Sequence, residues 1–235
     1  DVAPGYRTRV DNESNINPKA IANEQGYEYS AYVSEEWNVA RWLTVQAGLR
    51  YAVFALVGPK TVYNYEAGVP RAPETATESM QYSSGQKIQS YGGFEPRVSL
   101  RIGLSKMHSI KLSYNRTRQY LHLITNTTAI SPADFWKLSD NYLPPQVADQ
   151  YAAGYYLNLK DNVYEFSVEG YYKNISSLLE SKNGAILLLN PQLETALITA
   201  RGLAYGIELS AKKNKGQFTG QVNYTYARTF IQSLS

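Results

Sequence analysis

Two histidines, no cysteine and a scatter of carboxylates are all that this sequence offers to metal or acid–base chemistry. His108 falls in a short turn and His122 in a long connection. With no thiolate and no second nearby histidine, a solvated or packing role suits both better than metal ligation. Asp11-Asn12-Glu13-Ser14-Asn15-Ile16-Asn17 spaces oxygen ligands as calcium loops do. It lacks the glycine expected at the sixth position and the distal glutamate, so it reads as a polar loop. There is no Gly-x-Ser-x-Gly elbow and no phosphate loop, and nothing in the sequence gathers two carboxylates into a sheltered cleft. The expectation is therefore no enzyme, no metal site and no cofactor. Binding chemistry is left to aromatic residues in long connections. Phe135, Trp136 and Tyr142 lie near Pro144-Pro145, and Tyr63 and Tyr65 lie in an earlier connection. Such residues stack on sugars or peptides when exposed, or else fold their own loops onto one another.

Whatever positions these residues is built from β-structure. The chain has 235 residues, with 21 Tyr against 6 Phe and 3 Trp. Aromatic rings with a polar tip suit strands, and they suit the headgroup level of a membrane. A net charge of +3, with the basic residues scattered, offers no stripe for nucleic acid. Mean hydropathy is −0.39. No run approaches the roughly 18 apolar residues of a membrane helix, but a membrane strand needs only about 9–11 residues with alternate positions apolar.

Alternation with period 2 is long and regular. Residues 27–39 set Tyr27, Tyr29, Ala31, Val33, Trp37 and Val39 on one face, and 42–54 repeat the pattern from Leu43 to Val53. Residues 94–105 and 108–118 form a second pair, 149–160 and 162–174 a third, and 201–213 and 216–230 a fourth. The opposite faces carry Arg50, Glu95, Arg97, Arg101, Lys111, Glu165, Glu169, Lys173, Glu208 and Lys212. Ordinary globular strands are about 5–6 residues long, so eight strands of about twice that length fit a membrane-spanning sheet better than a sandwich.

The connections alternate strictly in length. Those at 39–42, 105–108, 160–162 and 213–216 are short, whereas 55–93, 119–148 and 175–199 are long. Short turns on the periplasmic side and long loops outside the cell are the outer-membrane pattern. The predicted fold is a segment of a transmembrane antiparallel β-barrel of about eight long strands, with residues 1–235 as part of one barrel domain. Residues 1–26 and 231–235 would then both belong to outer loops, which marks the chain as a slice of a larger wall. The alternative is a soluble or surface β-sheet module that binds carbohydrate on its tyrosine-rich face.

Four segments carry a family resemblance. Leu43-Thr44-Val45-Gln46-Ala47-Gly48-Leu49-Arg50-Tyr51, Glu95-Pro96-Arg97-Val98-Ser99-Leu100, Asp149-Gln150-Tyr151-Ala152-Ala153-Gly154-Tyr155 and Gly202-Leu203-Ala204-Tyr205-Gly206-Ile207-Glu208-Leu209 together resemble TonB-dependent outer-membrane transporters of the Bacteroidetes, SusC-like type. The likeness runs through nearly all of residues 27–230. It implies a bacterial outer-membrane location and a parent barrel of about 22 strands, with an N-terminal plug that is not in this chain. It implies contact with membrane lipid, energising by the TonB complex through the plug, a nutrient ligand (glycan, peptide, siderophore or similar) and a surface lipoprotein as a further partner. Tyr63, Tyr65, Phe135, Trp136 and Tyr142 are then the expected ligand contacts, and inward Arg97, Arg101 and Lys111 face the plug or luminal water.

Overall fold

Side chains that alternate over such lengths leave each segment one arrangement that serves both of its faces, an extended strand hydrogen-bonded on either side. The computed structural model describes residues 23–124, 135–187 and 190–233. In chain order its strands are β1 (Gln25–Ala40), β2 (Leu43–Val57), β3 (Lys60–Tyr65), β4 (Ala76–Tyr82), β5 (Lys87–Gly103) and β6 (His108–Gln119). They continue with β7 (Leu121–Ile124), β8 (Phe135–Leu138), β9 (Gln146–Leu159), β10 (Tyr164–Ser181), β11 (Leu197–Lys213) and β12 (Gly220–Ser233). The long strands form one antiparallel sheet of eight in the order β1-β2-β5-β6-β9-β10-β11-β12. Among the described residues the sheet is open: β1 pairs only with β2, and β12 only with β11.

Register sorts the faces. Tyr32, Arg50 and Glu95 lie opposite one another on β1, β2 and β5, and Gly154, Glu169 and Glu208 do so on β9, β10 and β11. The other face carries Tyr114, Tyr151, Tyr172 and Tyr205 abreast on four adjacent strands. The burial is inverted relative to a soluble protein. Apolar Val168 is 48% exposed and Ile207 52%, whereas Glu95 on the charged face is 1% exposed. A wall with its apolar side bare and its charges inside is stable only with hydrocarbon around it.

All eight predicted strands are present, several with shifted ends. β10 continues past the predicted limit to Ser181, through a bulge at Ile175–Leu178 in which Ser177 takes φ 57°. β12 starts at Gly220 rather than 216, because Gly216 at φ 114° turns the chain within 214–219 and Asn214 donates its N–H to Val163 O at 2.8 Å. At the other tight turn Lys160, Asp161 and Asn162 all lie in the left-handed region, at φ 50°, 53° and 64°. Aspartate and asparagine tolerate that region better than most side chains. The connections 55–93 and 119–148, expected as loops, each hold a hairpin, β3–β4 and β7–β8. Those strands have four to seven residues. That is too short for alternation to separate them from a loop in the sequence.

Two neighbouring residues test the assignment of faces. Val168 lies midway along the outward face and Ser167 points inward. In the complete protein Val168→Arg is expected to destabilise the barrel by about 2–4 kcal/mol, and Ser167→Arg by much less. Urea titration of folding into lipid vesicles reads both values, and equal costs would overturn the assignment.

Candidate ligand-binding loops

At the end of the sheet opposite the short turns, the long connections fold onto one another. Ile124, Leu143, Leu187, Leu193 and Leu197 bury one apolar cluster between them, and Phe54, Leu56, Tyr120 and Leu138 bury a second against the inner face of the wall. Phe54 and Tyr120 stack with ring centroids 5.1 Å apart. Leu193 belongs to a single helical turn, α1 (Leu193–Ala196), that leads into β11.

Between these clusters lies a buried quartet of charges. Lys137 Nζ, on β8, donates to Glu24 Oε1 at 2.8 Å and to Asp140 Oδ2 at 2.6 Å. Lys60, at the start of β3, reaches both carboxylates from the other side. The side chains of Lys137, Glu24 and Asp140 are 7%, 9% and 9% exposed. Burial at this depth is tolerable because two cations meet two anions and the remaining lone pairs are used. Glu24 Oε2 accepts the Leu138 N–H at 2.9 Å, and Asp140 Oδ1 accepts those of Tyr142 and Leu143 at 3.0 Å each. Burial pushes the pKa of both carboxyls up, but Lys137 and Lys60 outweigh it; Glu24 ends below its usual value and Asp140 is lowered to about 2. Burial acts to lower Lys137, and the two carboxylates overcome it and raise its pKa. The quartet ties the residue just before β1 to both hairpin-bearing connections.

His122, on β7, is 1% exposed beside this quartet. Gln146 Nε2 donates to its Nδ1 at 3.3 Å, which leaves the proton on Nε2, 2.9 Å from Ser139 Oγ. Burial first, and then the charge of Lys137, lower its pKa to about 4, against a smaller opposing pull from Asp140.

Below the loops the inner wall forms a cavity of about 620 Å³ lined by Arg50, Glu95, Arg97, Lys111, Tyr32 and Asn115, among others. Arg50 bridges Glu28 at 2.8 Å and Glu95 at 3.2 Å. Arg97 and Lys111 have no ion pair among the described residues. Glu95 has a second task. Pairing of β5 with β6 stops at Arg97↔Asn115, and beyond it the other Glu95 oxygen accepts the Arg118 N–H at 3.2 Å. The Arg118 guanidinium lies flat on Gly93, where a Cβ would come within 2.4 Å of it.

Three of the five expected ligand contacts come together. Tyr65 and Tyr142 meet edge to face at 5.4 Å, and Tyr142 OH donates to Tyr63 O at 2.8 Å. Tyr65 OH donates to Glu194 at 2.8 Å, and Arg71 lies over the Tyr142 ring at 4.9 Å. Burial and the bond to Glu194 raise the Tyr65 pKa. Tyr65 and Tyr142 therefore spend their polar tips on joining loops, and Tyr63 takes part through its backbone carbonyl. Trp136 stands apart from them on β8, 48% exposed. The backbone of Phe135 lies in β8, while its side chain falls outside the described residues, as does the Asp11–Asn17 segment. His108 opens β6, with Nδ1 2.5 Å from Tyr155 OH. The quartet was not legible in the sequence. Lys137 and Asp140 sit three residues apart, but Glu24 is 113 residues from Lys137.

A family model described as TonB dependent receptor-like, beta-barrel matches residues 3–234. No curated protein sequence matches the chain. Among solved structures, the FrpB iron transporter from Neisseria meningitidis (F3-3 variant) superposes with a TM-score of 0.58 at 14% identity, covering 92% of this chain and 27% of that one. The ferripyoverdine receptor of the outer membrane of Pseudomonas aeruginosa, bound to ferripyoverdine, gives 0.55 at 16% identity, covering 93% and 24%. The FpvAI–pyocin S2 complex gives 0.58 at 14%, covering 91% and 25%. The chain thus spans about a quarter of the length of the solved structures it matches.

Removing one member of a buried ion cluster strands its partners. Lys137→Met in the complete protein is expected to cost the loop cap about 3–5 kcal/mol. Hydrogen exchange at the Leu138, Tyr142 and Leu143 amides reads it, and unchanged protection would show that the quartet does not hold the cap. Acid should act through His122. An unfolded histidine takes its proton near 6.5, whereas this one stays neutral down to about 4. Cap stability is therefore intact above about pH 6.5 and falls as pH drops from there towards 4. Below about pH 3.8 Asp140 adds a further loss as the pH approaches 2. His122→Gln should flatten the pH 6.5–4 portion of the exchange profile and leave the lower portion in place.

Proposed function

This chain belongs to the TonB-dependent receptor-like β-barrel family, and on that premise we propose that it is the barrel-wall section of a receptor that imports a nutrient across the bacterial outer membrane. Proteins of this family are transport proteins of that membrane. The observation that carries the reading is the inside-out wall, with bare apolar residues outside, charges inside and a folded cap of loops at one end. The bare apolar face speaks against the soluble binding module, which would have to cover it.

In this reading the hydrogen-bonded wall supplies a rigid cylinder, and the free edges of β1 and β12 continue into further strands of the same barrel, since a bare edge cannot stand in lipid. A plug contributed by another part of the protein fills the lumen and couples to the TonB complex. Its polar surface meets the inward Arg97, Arg101 and Lys111. Trp136, exposed on the cap, is the aromatic best able to stack on an arriving ligand. Tyr63, Tyr65 and Tyr142 act mainly by shaping the loops that present it. The neighbours named above include an iron transporter and a ferripyoverdine receptor, so iron chelates head the ligands to try, with glycans, peptides and cobalamin beside them.

The test is uptake by cells carrying the complete protein, with and without a working TonB system. Loss of TonB should abolish accumulation of the ligand while surface binding persists. Trp136→Ala should weaken that binding by about 1 kcal/mol or more, close to fivefold in Kd, with the barrel still folded. Uptake that ignores TonB would overturn the transport reading, and full affinity in Trp136→Ala would remove that residue from the site.

A further inference from the structure

The outward face carries a feature that a plain lipid-facing wall does not need. One row from Tyr114, Tyr151, Tyr172 and Tyr205 towards the short turns, the same register sets Leu112, Ala153, Gly170 and Ile207 abreast. The two smallest residues sit in the middle, so the wall is recessed there. The result is an apolar groove of about 780 Å³, floored by Ala153 and Gly170 and overhung by tyrosine rings. The groove is shallow and open, and its volume falls within the range of ligand sites.

Gly170 is not explained by the protein's own packing. A Cβ at Gly206 would meet Tyr226 O at 2.8 Å and the Tyr171 ring at 2.9 Å, so that glycine makes room for neighbours. A Cβ at Gly170 would meet nothing closer than Gly206 O, at 3.8 Å. Glycine inside a strand weakens it, and often marks a place where a ligand comes close to the backbone.

The mouth of the groove is polar and rich in positive charge. Directly above the tyrosine row, Arg116 is held by Asp149 at 2.8 and 2.9 Å, and Tyr114 OH donates to the same carboxylate at 2.7 Å. Arg228 lies opposite Tyr205, with its guanidinium 6.0 Å from the ring of Tyr226, which lines the groove. Arg201 is exposed further up the same strand as Tyr205. Neither Arg228 nor Arg201 has a carboxylate partner among the described residues. On the reading of this face as lipid-exposed, from which the inference proceeds, the polar row marks the outer headgroup level.

We infer that this groove is a binding site for one anionic, phosphate-bearing lipid of the outer leaflet. An acyl chain lies over Ala153 and Gly170 beneath the tyrosines, and the headgroup phosphate meets Arg228, with Arg201 further out on the same face. Arginine is suited to that contact because its planar fork matches phosphate oxygens.

The test is native mass spectrometry of the complete protein, delipidated in mild detergent and titrated with phosphatidylglycerol or with phosphatidylcholine. The wild type should retain phosphatidylglycerol in preference. Gly170→Leu fills the floor and Arg228→Gln removes the charge, and each should lower occupancy by about fivefold. Arg228→Gln changes no packed position, so it decides the matter even if Gly170→Leu folds poorly. Equal retention in wild type and Arg228→Gln, or no preference between the two lipids, would overturn the site. A protein that stayed folded and monodisperse without detergent would instead sink the membrane reading itself, which separates the two failures.

Discussion

An unpaired backbone N–H or C=O costs several kcal/mol in hydrocarbon, because no water is there to take its place. In this chain that constraint sets strand length, register and the identity of each face at once. β6 pairs with β9 from His108↔Leu157 to Gln119↔Gln146 without a slip, and β9 pairs with β10 from Leu159↔Tyr164 to Val147↔Ser176. A slip of one residue would turn Val168 inward and Glu169 into lipid. Where β5 and β6 part company above Arg97↔Asn115, a side chain takes over, and buried Glu95 accepts the Arg118 N–H that the ladder no longer serves. Arg50 then balances the charge that this task requires.

The loops obey a different rule. They leave the sheet, so they must be held by their own contacts, and they do so with two apolar clusters and one neutral quartet of buried charges. Apolar clusters alone would leave the loops free to slide against one another, since dispersion is not directional. Glu24, Lys60, Lys137 and Asp140 accept only one arrangement, because any other leaves a charge bare. His122, neutral at the edge of the quartet, makes the arrangement sensitive to acid without taking part in it.

Glycines show that the two surfaces of the wall have different duties. Gly93 and Gly206 are required by the chain itself, one beneath Arg118 and the other between Tyr171 and β12. Gly170 has open space where its side chain would be, and that space lies on the outward face, one row from the only four-tyrosine row that register sets abreast among the described strands. The wall is thus adapted outside as well as inside.

What the sequence determined by itself was the wall. Strict alternation in Leu43–Val53 or Tyr164–Tyr172, together with alternating short and long connections, sufficed for eight strands, their faces and their side of the membrane, because period and length are local properties of the chain. The four segments quoted above added the family. Strand ends were less legible. Gly216 and the Ser177 bulge moved them through backbone angles that alternation does not report, and the four-residue strands of β7–β8 are too short to have a period. Only the tertiary structure decided how the loops meet. Lys137 reads as an ordinary surface lysine until Glu24 and Lys60 arrive beside it, and Tyr65 and Tyr142 read as free aromatics until they are seen to hold one another. Charges and rings carry no mark of their partners when those partners lie scores of residues away, and burial, which gives such contacts their strength, exists only once the chain has folded.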